Sequence, residues 1–165
     1  MSNQLNTEDN GGLRWVDASN GQIPQGALAQ GVDNTGQLLF IARGAYKGGI
    51  HPGKAAPHVP DGGFQLSWGG RAHSLNKYQV LCGDIERTRW VPVRGSVQSL
   101  LDRKIHLVHG GNEADGSTPL FVAKTQVGGA VTLGKSGSHI RAGMSYPDAT
   151  GAEQNESKYL VLAYA

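Results

Sequence analysis

The octapeptide GAVTLGKS, residues 129 to 136, fits the phosphate-binding loop pattern G-x-x-x-x-G-K-S/T letter for letter. In that motif a strand enters and a helix leaves. The first amide groups of the helix cradle the phosphates, the lysine reaches them, and the hydroxyl holds magnesium. Here the residues after Lys135 are interrupted by Gly137, Gly143 and Pro147 and carry no 3.6-residue apolar period, so no helix is expected. The corresponding segment of the first half, GGIHPGKA at 48 to 55, keeps Gly-Lys but has Ala55 where the magnesium hydroxyl should be. Nucleotide chemistry is therefore set aside, while the two lysines are kept.

Each lysine has an acid upstream. Asp33 lies in GVDNTG (31–36) and Glu113 in GNEADG (111–116), and Lys54 and Lys135 follow 21 and 22 residues later in a Gly-Lys turn. A carboxylate accepts hydrogen bonds from two neighbouring hydroxyls, and an ammonium donates to lone pairs on the same oxygens. Vicinal sugar hydroxyls fit such a couple without a metal ion, and glycines at the hairpin tip would let a ring approach the backbone. The plainer reading is a surface ion pair or two unrelated solvated side chains, because such pairs are common and weak.

The couples recur because the chain is duplicated. A shift of 81 residues superimposes Leu39-Phe40 on Leu120-Phe121, Gly53-Lys54 on Gly134-Lys135, His58 on His139, and Lys77-Tyr78 on Lys158-Tyr159. With a one-residue change of register the acid-bearing hairpins also align, and Trp15-Val16 and Trp90-Val91 open the two halves. This is a tandem repeat. Residues 1–12 read as a polar, disordered tail, 13–86 as the first repeat and 87–165 as the second, with one shared core.

Those elements read as strands. Short apolar runs separated by Gly, Asn, Asp and Pro, with 25 glycines and 17% charged residues, indicate an all-β chain. About ten strands are expected, in antiparallel sheets related by a pseudo-twofold axis and packed into one compact domain. The segment 96–104 alone favours a helical turn. A scattered net charge of +2 does not describe a nucleic-acid surface. The polar start carries no secretory signal and no apolar run long enough to insert in a membrane, which implies a cytoplasmic protein or one secreted without a signal peptide. The single Cys82 excludes an internal disulfide framework.

The sequence closely resembles the DM-nine repeat in both halves, from about Leu13 to Ala165. The motifs that carry the likeness are W-V-x-x-x-x-G-x-I-P-x-G-A at 15 to 27, L-F-I-A-R at 39 to 43, P-G-K at 52 to 54 and K-Y-x-V-L at 77 to 81. Members with two tandem repeats are similar to β-rich, mannose-recognising lectins of innate defence, and the repeat also occurs fused to pore-forming modules. The resemblance implies that the family's sugar-binding aspartate and lysine fall on Asp33 and Lys54, and the internal repeat extends them to Glu113 and Lys135. The second half departs from the pattern: it has Glu113 for the acid, TLGK for HPGK, Lys124 for Arg43, and nothing like I-P-x-G-A.

The expected function is thus metal-independent, cofactor-free binding of mannose-containing glycans, with two sites per chain and four in a homodimer. Candidate supporting residues are Arg43 and Lys124, which either orient the acid or face water, and Trp68 and Tyr146, which either stack on a sugar or pack in the core. His58 and His139 read as turn residues bonding to backbone. His106 and His109, three apart in a strand, point to opposite faces and cannot clamp one metal. The rivals are an interaction or scaffold protein with idle sugar sites, and a glycoside hydrolase. A hydrolase needs two carboxylates across one bond, and the sequence offers one per repeat.

Overall fold

In the computed structural model, which describes residues 12–165, fourteen strands make one extensively hydrogen-bonded antiparallel sheet system. The expected tail at 1–12 lies, but for Gly12, outside the described residues. The first half contributes β1 (Leu13–Ser19), β2 (Ala29–Val32), β3 (Leu38–Tyr46), β4 (Gly49–Ala55), β5 (Phe64–Trp68), β6 (Arg71–Leu75) and β7 (Lys77–Gly83). The second contributes β8 (Thr88–Arg94), β9 (His109–Asn112), β10 (Pro119–Val127), β11 (Ala130–Ser136), β12 (Met144–Pro147), β13 (Glu153–Glu156) and β14 (Lys158–Tyr164). The segment singled out as helical forms the single turn α1 (Gln98–Asp102).

The pairing within each half is the same. β1 pairs with β7, β7 with β3, and β3 with both β2 and β4, followed by β5 and β6; β8 to β14 repeat this order. Across the halves the exchange is reciprocal: β2 pairs with β11 at Val32 and Val131, and β9 pairs with β4 at Asn112 and Ile50. That reciprocity is the pseudo-twofold axis expressed in hydrogen bonds.

Burial follows strand alternation. Leu39, Ile41 and Leu81 from the first half meet Val122, Leu133 and Leu162 from the second in a shared core. Each half adds its own cluster, around Phe64, Leu66 and Val80 in the first and around Phe121, Met144 and Val161 in the second. At about 1.5–3 kcal/mol for each fully buried large apolar side chain, the shared cluster couples the halves strongly.

Fourteen strands form where about ten were expected, and two of them, β4 and β11, lie where the sequence indicated Gly-Lys turns. Lys54 and Lys135 are not at turn tips but inside β4 and β11. Their Gly-Lys glycines serve close strand approach. A Cβ on Gly53 would run into the Gln65 carbonyl of β5, and one on Gly134 into the Ser145 carbonyl of β12. Likewise a Cβ on Gly31 would meet the Val131 carbonyl at 2.7 Å, and one on Gly111 would strike the Ile50 carbonyl. The glycines preceding the two acids therefore admit the other repeat's strand rather than a sugar ring. Gly36 and Gly116, at φ +86° and +76° with open space beyond, are the true turn glycines.

Candidate functional site

Lys54 lies opposite Ile41 on β3, facing a cleft of about 310 Å³, at the small end of the ~300–1,000 Å³ typical of small-molecule sites. Both repeats build it. Asp33, Leu39 and Lys54 come from the first, and Thr132, Tyr146 and Asp148 from the second. Asp33 and Lys54 thus share one cleft, but no direct ion pair joins them among the described residues. The ammonium makes one long hydrogen bond, 3.4 Å to the Pro147 carbonyl, which leaves donors for a ligand. Burial lowers the Lys54 pKa, while Asp148 and then Asp33 pull it back up.

Asp33 is clamped in its ionised form. Its Oδ1 accepts from the Thr35 amide at 2.9 Å, the Thr35 hydroxyl at 2.7 Å and the Gln37 amide at 3.0 Å. Its Oδ2 lies 2.7 Å from His58 Nε2. The Thr35 hydroxyl and these further bonds hold its pKa down to about 2, so the imidazole nitrogen must be the donor. Asp148 is held in the same manner by the Thr150 amide and hydroxyl, the Ala152 amide and Gln154. Bonding to Gln154, Ala152 and Thr150 drives its pKa far below the usual carboxylate range. The signal for Asp148 was in the sequence: DATG at 148–151 repeats DNTG at 33–36, and both are side-chain-closed turns. Two such turns face Lys54 from opposite repeats.

The expectation of a like second site meets a different geometry. Lys135 is 4% exposed, and its ammonium donates to the Ser67 carbonyl at 2.6 Å and to His51 Nδ1 at 3.0 Å. His51 can accept because burial, aided by the Lys135 charge, lowers its pKa to about 4. Where His51 seals Lys135, the first cleft has the shorter Thr132. At the second hairpin tip the roles of Asp33 are divided. Asp115 closes the turn through the Ser117 and Thr118 amides, and Glu113 Oε2 meets His139 Nε2 at 2.6 Å. Lys135→Ala strands the Ser67 carbonyl and His51 in the interior. It should lower stability by about 2 kcal/mol in a denaturant melt and leave ligand binding at the Lys54 cleft unchanged; a loss of that binding in a folded variant would contradict the assignment.

The two histidines are corrections to the turn-residue reading. In each repeat the imidazole bonds the repeat's own acid rather than backbone. His58→Ala should leave the fold intact and weaken ligand binding about tenfold, roughly the value of one charge-assisted bond that fixes a side chain; isothermal titration reads this directly, and unchanged affinity would remove His58 from the site.

The supporting residues also resolve. Arg43 and Lys124 lie outside the lining of the Lys54 cleft. Their cationic groups sit 4.3 Å above the Trp15 and Trp90 rings, and they donate across the dyad to the Gly110 and Gln30 carbonyls. They line separate clefts, because Arg43 stands two residues, about 7 Å, along β3 from the position facing Lys54. Tyr146 is 7% exposed in the core of the second half with its edge on the Lys54 cleft. Trp68 is not its repeat counterpart. Gln65 faces Lys54 as Ser145 faces Lys135, so Trp68 corresponds to Asp148 and Tyr146 to Leu66. Among the described residues no group of three or more His, Cys, Asp or Glu side chains could hold a metal ion.

The architecture defines the class: a duplicated β-sheet protein whose halves exchange strands across a pseudo-dyad. It is similar to the crystal structure of the nematode sperm cell motility protein MFP2B, with a TM-score of 0.63 and 12% identity over 92% of this chain and 44% of that one. The chain thus spans less than half of that protein. No curated protein matches the sequence. The family model of the DM9 repeat matches residues 3–60 and 56–153, and the chain belongs to the DM9 repeat family.

Proposed function

We propose that the Lys54 cleft is a metal-independent carbohydrate site that recognises mannose or mannose-rich glycans, in the manner of a lectin of innate recognition. The observation that supports this reading most is a half-buried ammonium with free donors, set between two carboxylates that are held ionised. Neighbouring hydroxyls of a pyranose would donate to Asp33 and Asp148 while their oxygens accept from Lys54. Affinity for one sugar should be about millimolar, roughly −4 kcal/mol, with avidity gained on a glycan-coated surface.

The two acids also speak to the hydrolase alternative. Glycoside hydrolysis needs one carboxyl protonated at working pH as a general acid, which requires a raised pKa. Both cleft acids are shifted the other way. Binding without turnover is the function this electrostatic pattern suits.

Retention on mannose resin should be unchanged by EDTA; loss on chelation would overturn the metal-free chemistry. Binding should persist into acid until Asp33 protonates near its lowered value of about 2. On the alkaline side it should fail before the ordinary lysine value of 10.5, since burial makes Lys54 surrender its proton early. A titration that held flat through that range would contradict the donor role.

A further inference from the structure

At the position corresponding to Asp148, the other repeat carries Trp68, an indole 38% exposed beside a sealed lysine. Its neighbours form a built surface. Tyr46 meets Trp68 edge-on at 5.6 Å between centroids and stacks on His73 at 4.3 Å, while His73 Nε2 lies 2.9 Å from the Trp68 carbonyl. Tyr46 precedes the Lys47-Gly48 turn and Trp68 the Gly69-Gly70 turn, both two-residue turns with positive φ throughout. Such hairpins are stiff, so the rings are fixed before any ligand arrives. Lys47 Nζ stands 5.9 Å from both the Tyr46 and Trp68 centroids. The platform adjoins the tip that carries Glu113: a Cβ on Gly48 would touch the Ala114 Cβ at 3.4 Å. The Gly69-Gly70 turn is anchored across the dyad by the Gly70 amide donating to Glu153 at 2.9 Å.

We propose that Trp68, backed by Tyr46 and His73, is a stacking subsite for the apolar face of a pyranose ring, so that the chain carries two unlike saccharide sites. The proposal rests on the carbohydrate reading of the Lys54 cleft and extends it. A pyranose presents a C–H face between rims of hydroxyls, and here a part-exposed indole has the Lys47 ammonium 5.9 Å from its centroid and adjoins the hairpin tip of the second repeat. Tight polar capture is left to the Lys54 cleft. The Trp68 surface adds a broad contact suited to another residue of a chain or a neighbouring branch of the same glycan.

The test is a titration of the full chain with methyl α-mannoside and with a mannan oligosaccharide, followed by amide and indole NMR signals. The three tryptophans give three indole probes. The Trp68 indole should shift in the wild type and, at ligand concentrations too high for retention on resin to report, still shift in Lys54→Ala, with Trp15 and Trp90 unmoved. Trp68→Ala should weaken mannan binding about fivefold to tenfold, Trp68→Tyr should restore most of it, and the Asn34 and Thr35 amides should still respond in both. A responding Lys54 cleft with a silent Trp68 indole overturns the subsite alone. Silence at both overturns the carbohydrate reading and the subsite with it.

Discussion

Lys54→Ala is expected to abolish retention on mannose resin while the melting temperature stays within a few degrees of the parent. Among the described residues the ammonium is the one cation lining the cleft, and its hydrogen bond to the Pro147 carbonyl is long, at 3.4 Å. Removing it costs the ligand its charge-assisted bonds, about 1.5–3 kcal/mol each, against a total of only about 4 kcal/mol for one sugar. Affinity then falls out of the measurable range. Asp33→Asn is the matching test. The amide oxygen can still close the turn through Thr35 and Gln37, so the loop is kept, but the charge is lost and a donating amide NH2 faces His58. It should lose binding as fully as Lys54→Ala. Retention of either variant at parental strength would place the sugar elsewhere.

Gly53→Ala and Gly134→Ala should each cost about 3 kcal/mol or more, because a Cβ would enter the backbone of the adjoining strand, which cannot yield without opening the sheet. For a chain of this length that lowers the melting temperature by roughly 6–12 °C. The control is Gly116→Asn, at φ +76° with nothing near. Asparagine tolerates the left-handed region, so the change should cost little. Differential scanning calorimetry separates the two; a Gly53→Ala protein melting with the parent would contradict the close approach of β4 and β5.

The lookalike phosphate loop shows how much of this was legible. Duplication, the all-β class and the turn at 96–104 follow from spacing and composition, since alternation and Gly-Asn-Asp punctuation are local signals. β4 and β11 were hidden because their Gly-Lys pairs use turn letters for a tertiary purpose: glycine is required by a neighbouring strand distant in sequence. Asp33 and Lys54 were legible as a pair and do share a cleft. Asp148 was missed although DATG echoes DNTG, because it lies in the other repeat and meets Lys54 only through folding. The sealing of Lys135 was equally invisible, as it depends on His51 of β4 reaching a strand of the second half.

The most direct measurement is a crystal structure of the protein soaked in methyl α-mannoside at several times its dissociation constant. The sugar should lie in the Lys54 cleft, with adjacent hydroxyl oxygens within hydrogen-bond reach of Nζ and their protons directed at the Asp33 and Asp148 carboxylates. An empty cleft in protein that mannose resin still retains, or a sugar held without contact to Lys54, would contradict it.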